Sequence, residues 1–430
     1  MSLHPLTAAV VPAILQIMEQ MVVMQKFLEA QLPTGLDMLR RMVEINSFTA
    51  NPAGVNQLGR LTAELFEPLG FTAEFVPSVN PAWGNHLVLM RTGQTSKNLA
   101  LISHLDTVFP PEEEQQNNFH WQPEGDLIFG PGTHDIKGGT MMMWLVLSAL
   151  RNCAPALYAE IGWRLFWNSS EECFGDDFEE VCRRRFDSGT VAALVFEAEG
   201  RAGQDRALVV ARKGRGTWRI TVHGRGAHAG GKHPHGANAI IELGRLVQKA
   251  AALTDYTQDL TVNVGTIEGG TVLNRVPHLA IAEGEFRAFT PAAYTRGKNG
   301  LLALEGTGEV RSPADGYACA IEVEILDETR PWIRNEGTDQ LFALWQRCGE
   351  AIGLTIQPEM RGGLSDGNLL WDSVPTLDGL GPWGDNDHCS ERSADGSKVP
   401  EFVQISSFVP KALLNCMAII QLTKARATNK

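Results

Sequence analysis

Apolar, strand-like runs that end in histidine or carboxylate recur along this chain, and no other feature constrains its fold as much. Leu99, Ala100, Leu101 and Ile102 lead into His104 and Asp106, and Asp135 sits just ahead of Gly138-Gly139 and the apolar helical run TMMMWLVLSAL. Glu171 and Glu172 follow the run WRLFW, Glu197 and Glu199 follow VAALVF, and His388 follows the strand-like stretch before GPWGDNDH. Side chains two apart on a strand point the same way, so His104 and Asp106 can meet. A carboxylate beside a histidine orients a metal-bound imidazole and raises its basicity. Any one of these pairs, alone, is an ordinary polar pair. Their recurrence at strand termini predicts an α/β fold with an open, mostly parallel sheet whose strand ends gather a carboxylate-rich two-metal site.

Between Leu36 and about Arg206 strands and helices alternate, and then the pattern changes. RALVVARKGRGTWRITVHG reads as a hairpin, GANAIIELGRLVQKAAAL as a helix, and LTVNVGTIEGG, HLAIAEGEFRAF and ACAIEVEILDE as further strands. The helical pattern resumes with GTDQLFALWQRCGEAIGL, past Arg330-Pro331. The expected division is an N-terminal amphipathic helix packed on the body over 1–35, a main domain over 36–206 and 332–430, and an inserted α+β, βαββ-like domain over 207–331. Glu19, Gln20 and Lys26 interrupt the apolar N-terminal segment below membrane-spanning length, and no membrane span or membrane partner is expected.

A chain of 430 residues, 43% hydrophobic and 20% charged, can build two cores. Its formal net charge of −13 argues against nucleic acid as a partner, which demands a basic surface. Seven cysteines without regular spacing fit reduced thiols and a cytoplasmic location. Cys173 and Cys389 each follow a candidate ligand and read as packing residues.

The ordered set SHLDTVFP, GPGTHDIKGG, NSSEECFG, VFEAEG, GRGAHAGGKHPHGANAI, GGLSDGN and GLGPWGDNDH resembles the M20 family of co-catalytic zinc peptidases, and within it the glutamate carboxypeptidase (carboxypeptidase G2-like) branch. The resemblance runs from about Leu36 onward. It implies two Zn2+ per subunit, with Asp135 bridging, His104 and Glu197 on one ion, and Glu172 and His388 on the other. It makes Asp106 the residue that orients His104 and Glu171 the general base. The family usually has Glu-Pro at the fourth ligand, whereas this chain reads Glu197-Ala198-Glu199, so Glu199 stays an alternative to Glu197. The insert becomes a lid or dimerisation domain. Its His228 would reach the partner subunit's active site in a homodimer and steady the oxyanion, and Asn274 and Arg287 would bind the substrate's carboxylate. Ser365, Asp366 and Gly367 correspond to a turn that touches substrate.

These residue types suit the chemistry. Paired metal ions polarise a carbonyl and acidify water, and a carboxylate that binds no metal takes the proton. An Arg fork grips a carboxylate at two points. Two other patterns carry less. Gly363-Leu364-Ser365-Asp366-Gly367 matches a nucleophile elbow but follows QPEMRG, a poor strand. Gly224-Arg225-Gly226-Ala227-His228-Ala229 resembles a dinucleotide loop, but Pro234 and further glycines separate it from the helix that starts near Asn238. The expected activity is hydrolysis of an amide bond next to a free carboxylate in a small peptide or N-acyl amino acid. The alternatives are an N-acyl amino acid deacylase of the acetylornithine or succinyl-diaminopimelate type, and a non-catalytic protein that binds amino-acid conjugates.

Overall fold

Strands buried on both faces read as continuous apolar runs, and Leu99–Ile102 and Val191–Val195 are such runs, almost wholly shielded from water. The computed structural model describes residues 10–173 and 177–425. It divides into two units, one of Met1–Val210, Asn335–Glu359 and Ser365–Lys430, the other of Ala211–Arg334 and Met360–Leu364.

The first unit is built on a six-stranded sheet in the order Thr72–Pro77, Asn85–Arg91, Gly162–Asn168, Asn98–His104, Thr190–Val195, Thr376–Leu377. The last four strands are mutually parallel. Asn85–Arg91 runs antiparallel to Gly162–Asn168 and to the edge strand Thr72–Pro77. Parallel strands share one carboxyl edge, where ligands collect in open sheets of this kind. His104, Asn168 and Val195 therefore end side by side, each just before or at a candidate site segment.

Helix Lys137–Cys153 is buried along nearly its whole length, packed against Val10–Val43 and Phe408–Ala425. The N-terminal helix does not stop at the expected boundary after residue 35. It continues through Pro33 and Leu36 to Val43, because Leu39, Met42 and Val43 extend the apolar face that Met24 and Leu28 begin. The first nine residues of that expectation lie outside the described residues. The segment Ile405–Lys424 is the one among the described residues long and apolar enough to cross a membrane. Of that window, 72% is buried inside the protein, which accounts for its composition.

A smaller four-stranded sheet matters for the site. It orders Gly384–Asp385, Phe402–Gln404, Leu127–Phe129 and Gln122–Glu124. The chain leaves this sheet once to reach Asp135 and once, between its first two strands, to make the loop that carries His388.

The second unit is a five-stranded antiparallel sheet ordered Thr261–Gly269, Leu279–Ala288, Gly214–His223, Ala318–Thr329, Gly306–Arg311. Burial alternates strictly along Gly214–His223, and Trp218, Ile220 and Val222 face Leu243, Leu246, Tyr294 and Leu301 in a single core. The βαββ-like element is present and is extended by helix Pro291–Leu302 and strand Gly306–Arg311. Sequence reading missed both because PAAYTRGKNGLL and GTGEVR are rich in glycine and polar residues. The Thr290 side chain accepting from the Ala293 N–H at 3.2 Å, with Pro291 next to it, was the available start signal.

The expected hairpin over 206–224 is not formed. Asp205–Arg212 pairs instead with Gly200–Ala202, and Gly214–His223 pairs with Leu279–Ala288 and Ala318–Thr329. A single residue, Lys213, separates the two strands, too few for the two-residue turns that close hairpins. A side chain at Gly214 would also meet the Pro331 backbone nitrogen at 2.5 Å.

Candidate metal centre

His104 closes its strand with the imidazole almost wholly buried. Its Nδ1 lies 3.0 Å from the Asp106 backbone carbonyl and 3.4 Å from that residue's carboxylate. A carbonyl accepts only, so Nδ1 carries the hydrogen and Nε2 is the nitrogen offered to the site. That Nε2 sits 3.0 Å from Asp135 Oδ1 and 3.6 Å from Glu197 Oε1. The other Asp135 oxygen, Oδ2, is 3.4 Å from His388 Nε2, which is also 3.2 Å from Glu172 Oε2. Each oxygen of one carboxylate thus faces a different histidine, and each histidine has a second acidic neighbour.

The local folding explains the convergence. Asp135 precedes helix Lys137–Cys153, whose opening glycines permit close approach. A Cβ on Gly139 would meet the Phe196 carbonyl at 2.1 Å, so glycine there lets the Asp135 turn lie against the end of the strand that delivers Glu197. Glu171 and Glu172 sit in a short 3-10 turn after Gly162–Asn168. Their backbone N–H groups donate to Asp106 Oδ1 and Oδ2 at 3.1 and 3.2 Å, and Thr49 Oγ1 donates to Oδ2 at 2.7 Å. Asp106 therefore anchors the glutamate turn as well as His104.

The electrostatics are those of acidic groups short of countercharge. Burial would raise the Asp135 carboxyl, but the hydrogen bonds and charges of His104 and His388 hold it well below the usual range. Burial, with Asp135 nearby, pushes Glu172 up to about 7, and burial pushes Glu171 well above the ordinary carboxyl value. Hydrogen bonds to Asp135 and Glu172 raise His388 to about 11. His104, Asp135 and Glu172 offer ligand atoms all within 4.8 Å of one another, and Glu172 Oε1 is buried with no hydrogen-bond partner among the described residues. Imidazole nitrogen and carboxylate oxygen are the donor types zinc takes, so the residues fit a metal pair.

Glu199 is engaged elsewhere. It is fully buried and paired with Arg206 at 2.8 Å and Lys411 at 3.0 Å, whereas Glu197 faces His104. Asp366 accepts from Asn168 Nδ2 at 2.8 Å, and burial raises its carboxyl to about 7. Ser365 donates its hydroxyl to Asp378 at 2.8 Å and accepts from the Gly367 N–H at 3.1 Å, so it has the surroundings of a turn anchor rather than a nucleophile. Cys173 is exposed and Cys389 partly so, which corrects the expectation of buried packing residues, and none of the seven cysteines forms a disulfide.

Residues 210–296 match the M20 peptidase dimerisation domain. The chain is 25% identical over 393 residues to carboxypeptidase G2 of Pseudomonas sp. (strain RS-16), covering 90% of this chain and 89% of that one. Over most of its length the chain is similar to M20 peptidases, and residues 210–296 carry the dimerisation domain. Its fold is shared with two solved M20 structures. One is the metallo-carboxypeptidase Sso-CP2 of Sulfolobus solfataricus (TM-score 0.67, 14% identity, 90% of this chain and 98% of that). The other is the dinuclear metal-binding peptidase YxeP of Bacillus subtilis (TM-score 0.64, 15% identity, 92% and 99%).

In the matched dimerisation domain, His228 Nδ1 accepts the backbone N–H groups of Gly230 and Gly231 at 3.1 and 3.0 Å. Nε2 is then the protonated nitrogen of the neutral ring, a donor. Asn274 is exposed, and its carbonyl accepts the Ala229 N–H at 2.9 Å. Arg287 is forked onto Glu285 at 2.8 and 3.0 Å and also donates to the Gly362 carbonyl at 3.1 Å. A substrate carboxylate would have to compete with Glu285 for it.

Sequence reading overlooked His134, Asp387 and Glu401. Glu401 is fully buried and accepts the backbone N–H groups of His134 and Asp135 at 2.9 and 3.2 Å, and His134 Nδ1 meets Asp387. A histidine next to one candidate ligand and an aspartate next to another was the signal available.

Proposed function

We propose that this M20 peptidase is a two-zinc carboxypeptidase that hydrolyses the amide bond beside a free C-terminal carboxylate and releases glutamate or a similar amino acid. The observation that carries this reading is Asp135, whose Oδ1 and Oδ2 face His104 at 3.0 Å and His388 at 3.4 Å, as a bridging ligand requires. His104 and Glu197 would hold one ion with Asp135, and Glu172 and His388 the other. Bound zinc would polarise the scissile carbonyl and bring the pKa of water down to about 7.

Glu171 is the residue for the proton. It is buried beside the ligands, its carboxyl is raised well above the ordinary value, and its neighbours leave it basic enough to accept from water and return the proton to the departing amine. Asp106 fixes the His104 tautomer and the position of the glutamate turn. In a homodimer formed through the dimerisation domain, the partner's His228 would donate from Nε2 to the oxyanion. Exposed Ile240, Ile241, Ile267, Val272 and Leu273 on that domain support such pairing. Asn274, Arg287 and the Ser365-Asp366-Gly367 turn are assigned to substrate, and the free thiols to a cytoplasmic enzyme.

The test is zinc stoichiometry alongside a screen of peptidyl and N-acyl amino acids with free C-termini. Two zinc ions per chain and release of a C-terminal amino acid from peptidyl substrates are expected. Well under two ions, or turnover confined to acetyl or succinyl conjugates, overturns the carboxypeptidase reading.

A further inference from the structure

His388 sits on a loop that the chain must hold in an uncommon shape. Both Asn386 and His388 have φ of 64°, in the left-handed region that disfavours residues with a Cβ. Such a conformation persists only where its surroundings over-determine it. Three contacts tie this loop to the turn that carries Asp135. Asp387, next to His388, pairs with His134, next to Asp135. The Glu401 backbone N–H donates to the Cys389 carbonyl at 2.8 Å, while Glu401 Oε1 accepts from His134 N and Asp135 N at 2.9 and 3.2 Å. The third tie is the Gly130 N–H on the Glu401 carbonyl at 3.3 Å.

The burial pattern gives the ties their weight. The Glu401 side chain is fully buried with no basic side chain hydrogen-bonded to it among the described residues, so its cost of burial is offset mainly by those two backbone donors. The His134 side chain is 6% exposed, and its ring packs on Gly384, where a Cβ would come within 2.7 Å. Both act on the backbones that present two candidate ligands.

We infer that His134, Asp387 and Glu401 form a clamp that sets the distance between Asp135 and His388, and so fixes the affinity of the ion those two residues share with Glu172. They are positioning residues. The inference rests on the two-metal reading of the site. It separates the two ions: the ion on His104 and Glu197 has only Asp135 in common with the clamp, whereas the ion on Glu172 and His388 has two ligands presented by it. Loss of the clamp therefore weakens the second ion more than the first. Neighbours of this kind ordinarily shift metal affinity by about 10–100-fold.

The experiment uses the full chain with Asp387→Ala, His134→Ala, Glu401→Ala and Glu401→Gln. Zinc per chain is measured across a graded series of chelator, and the thermal midpoint of each metal-free variant is recorded. Asp387→Ala, His134→Ala and Glu401→Ala should keep one ion at native affinity and bind the other about 10–100-fold more weakly. Glu401→Gln should restore the native profile, since its amide oxygen can accept the same two N–H groups. Equal weakening of both ions in step with a fall in the metal-free midpoint makes these ordinary packing residues and overturns the clamp. Two ions at native affinity in every variant overturn it as well. A wild-type chain that binds only one ion overturns the two-metal reading and takes the clamp with it.

Discussion

Asp106 accepts the backbone N–H of Glu171 at 3.1 Å, so the residue that orients His104 also positions the proposed base. Its second oxygen takes Glu172 N and Thr49 Oγ1 at 3.2 and 2.7 Å. Asparagine in its place keeps the shape but turns an NH2 group toward at least one of those donors. Asp106→Asn should therefore lower kcat and loosen zinc together, by about 10–100-fold. Native zinc content with native kcat would show that the carboxylate is dispensable.

Glu171 and Glu172 are adjacent, yet only Glu172 has a histidine partner, His388 at 3.2 Å. Glu171→Gln cannot accept a proton and should retain both ions while turnover falls by about 10²–10⁴. Glu172→Gln should lose one ion at limiting zinc and recover it in part with excess, because a neutral amide is a poor ligand. Zinc stoichiometry and kcat on the same preparations decide it. The reverse pattern exchanges the two roles.

The main sheet and the placement of His104, Glu172 and Glu197 were legible because each follows an apolar strand, and a parallel sheet brings those strand ends together; Asp135 and His388 come instead from loops of the smaller antiparallel sheet. Glu197 and Glu199 could not be separated that way, since both follow the same strand. What separates them is Lys411, 212 residues away, whose ammonium takes Glu199 at 3.0 Å. The His134–Asp387 pair spans 253 residues, and adjacency to a candidate ligand at each end was its one local sign. Strand Gly306–Arg311 was hidden for a different reason: GTGEVR has no apolar alternation, and its pairing with Ala318–Thr329 decides its conformation.

Asp177 offers a pH test away from the metal ligands. Burial alone would raise its carboxyl, but the hydrogen bonds from His86 at 3.1 Å and Val79 N at 2.7 Å lower it to about 2. A folded-state pKa below the unfolded value of 3.8 contributes stability that is complete above that value and is lost as pH falls toward 2. Asp177→Asn should be less stable than wild type at pH 6, and the gap should close between about pH 4 and pH 2. Denaturant midpoints across that range check it, and a gap that stays constant would assign the loss to packing instead.

His228 tests the dimer and the oxyanion donor at once. Its Nδ1 is committed to Gly230 and Gly231 N–H at 3.1 and 3.0 Å, which leaves Nε2–H as the donor and sets the ring direction. His228→Ala removes that donor without touching any proposed ligand, so zinc content and oligomer size should be native. Turnover should fall by about 10²–10³, the loss typical of one oxyanion donor. His228→Asn should fall by a similar factor, because its shorter side chain carries the donor to a different place. Since the donor would act in the partner's site, mixing His228→Ala with an excess of Glu171→Gln chains should restore activity. In a mixed dimer, the His228→Ala subunit keeps an intact base and receives His228 from the other chain. Light scattering that finds only monomers with full activity, or mixtures no more active than either parent, would end the shared-site model.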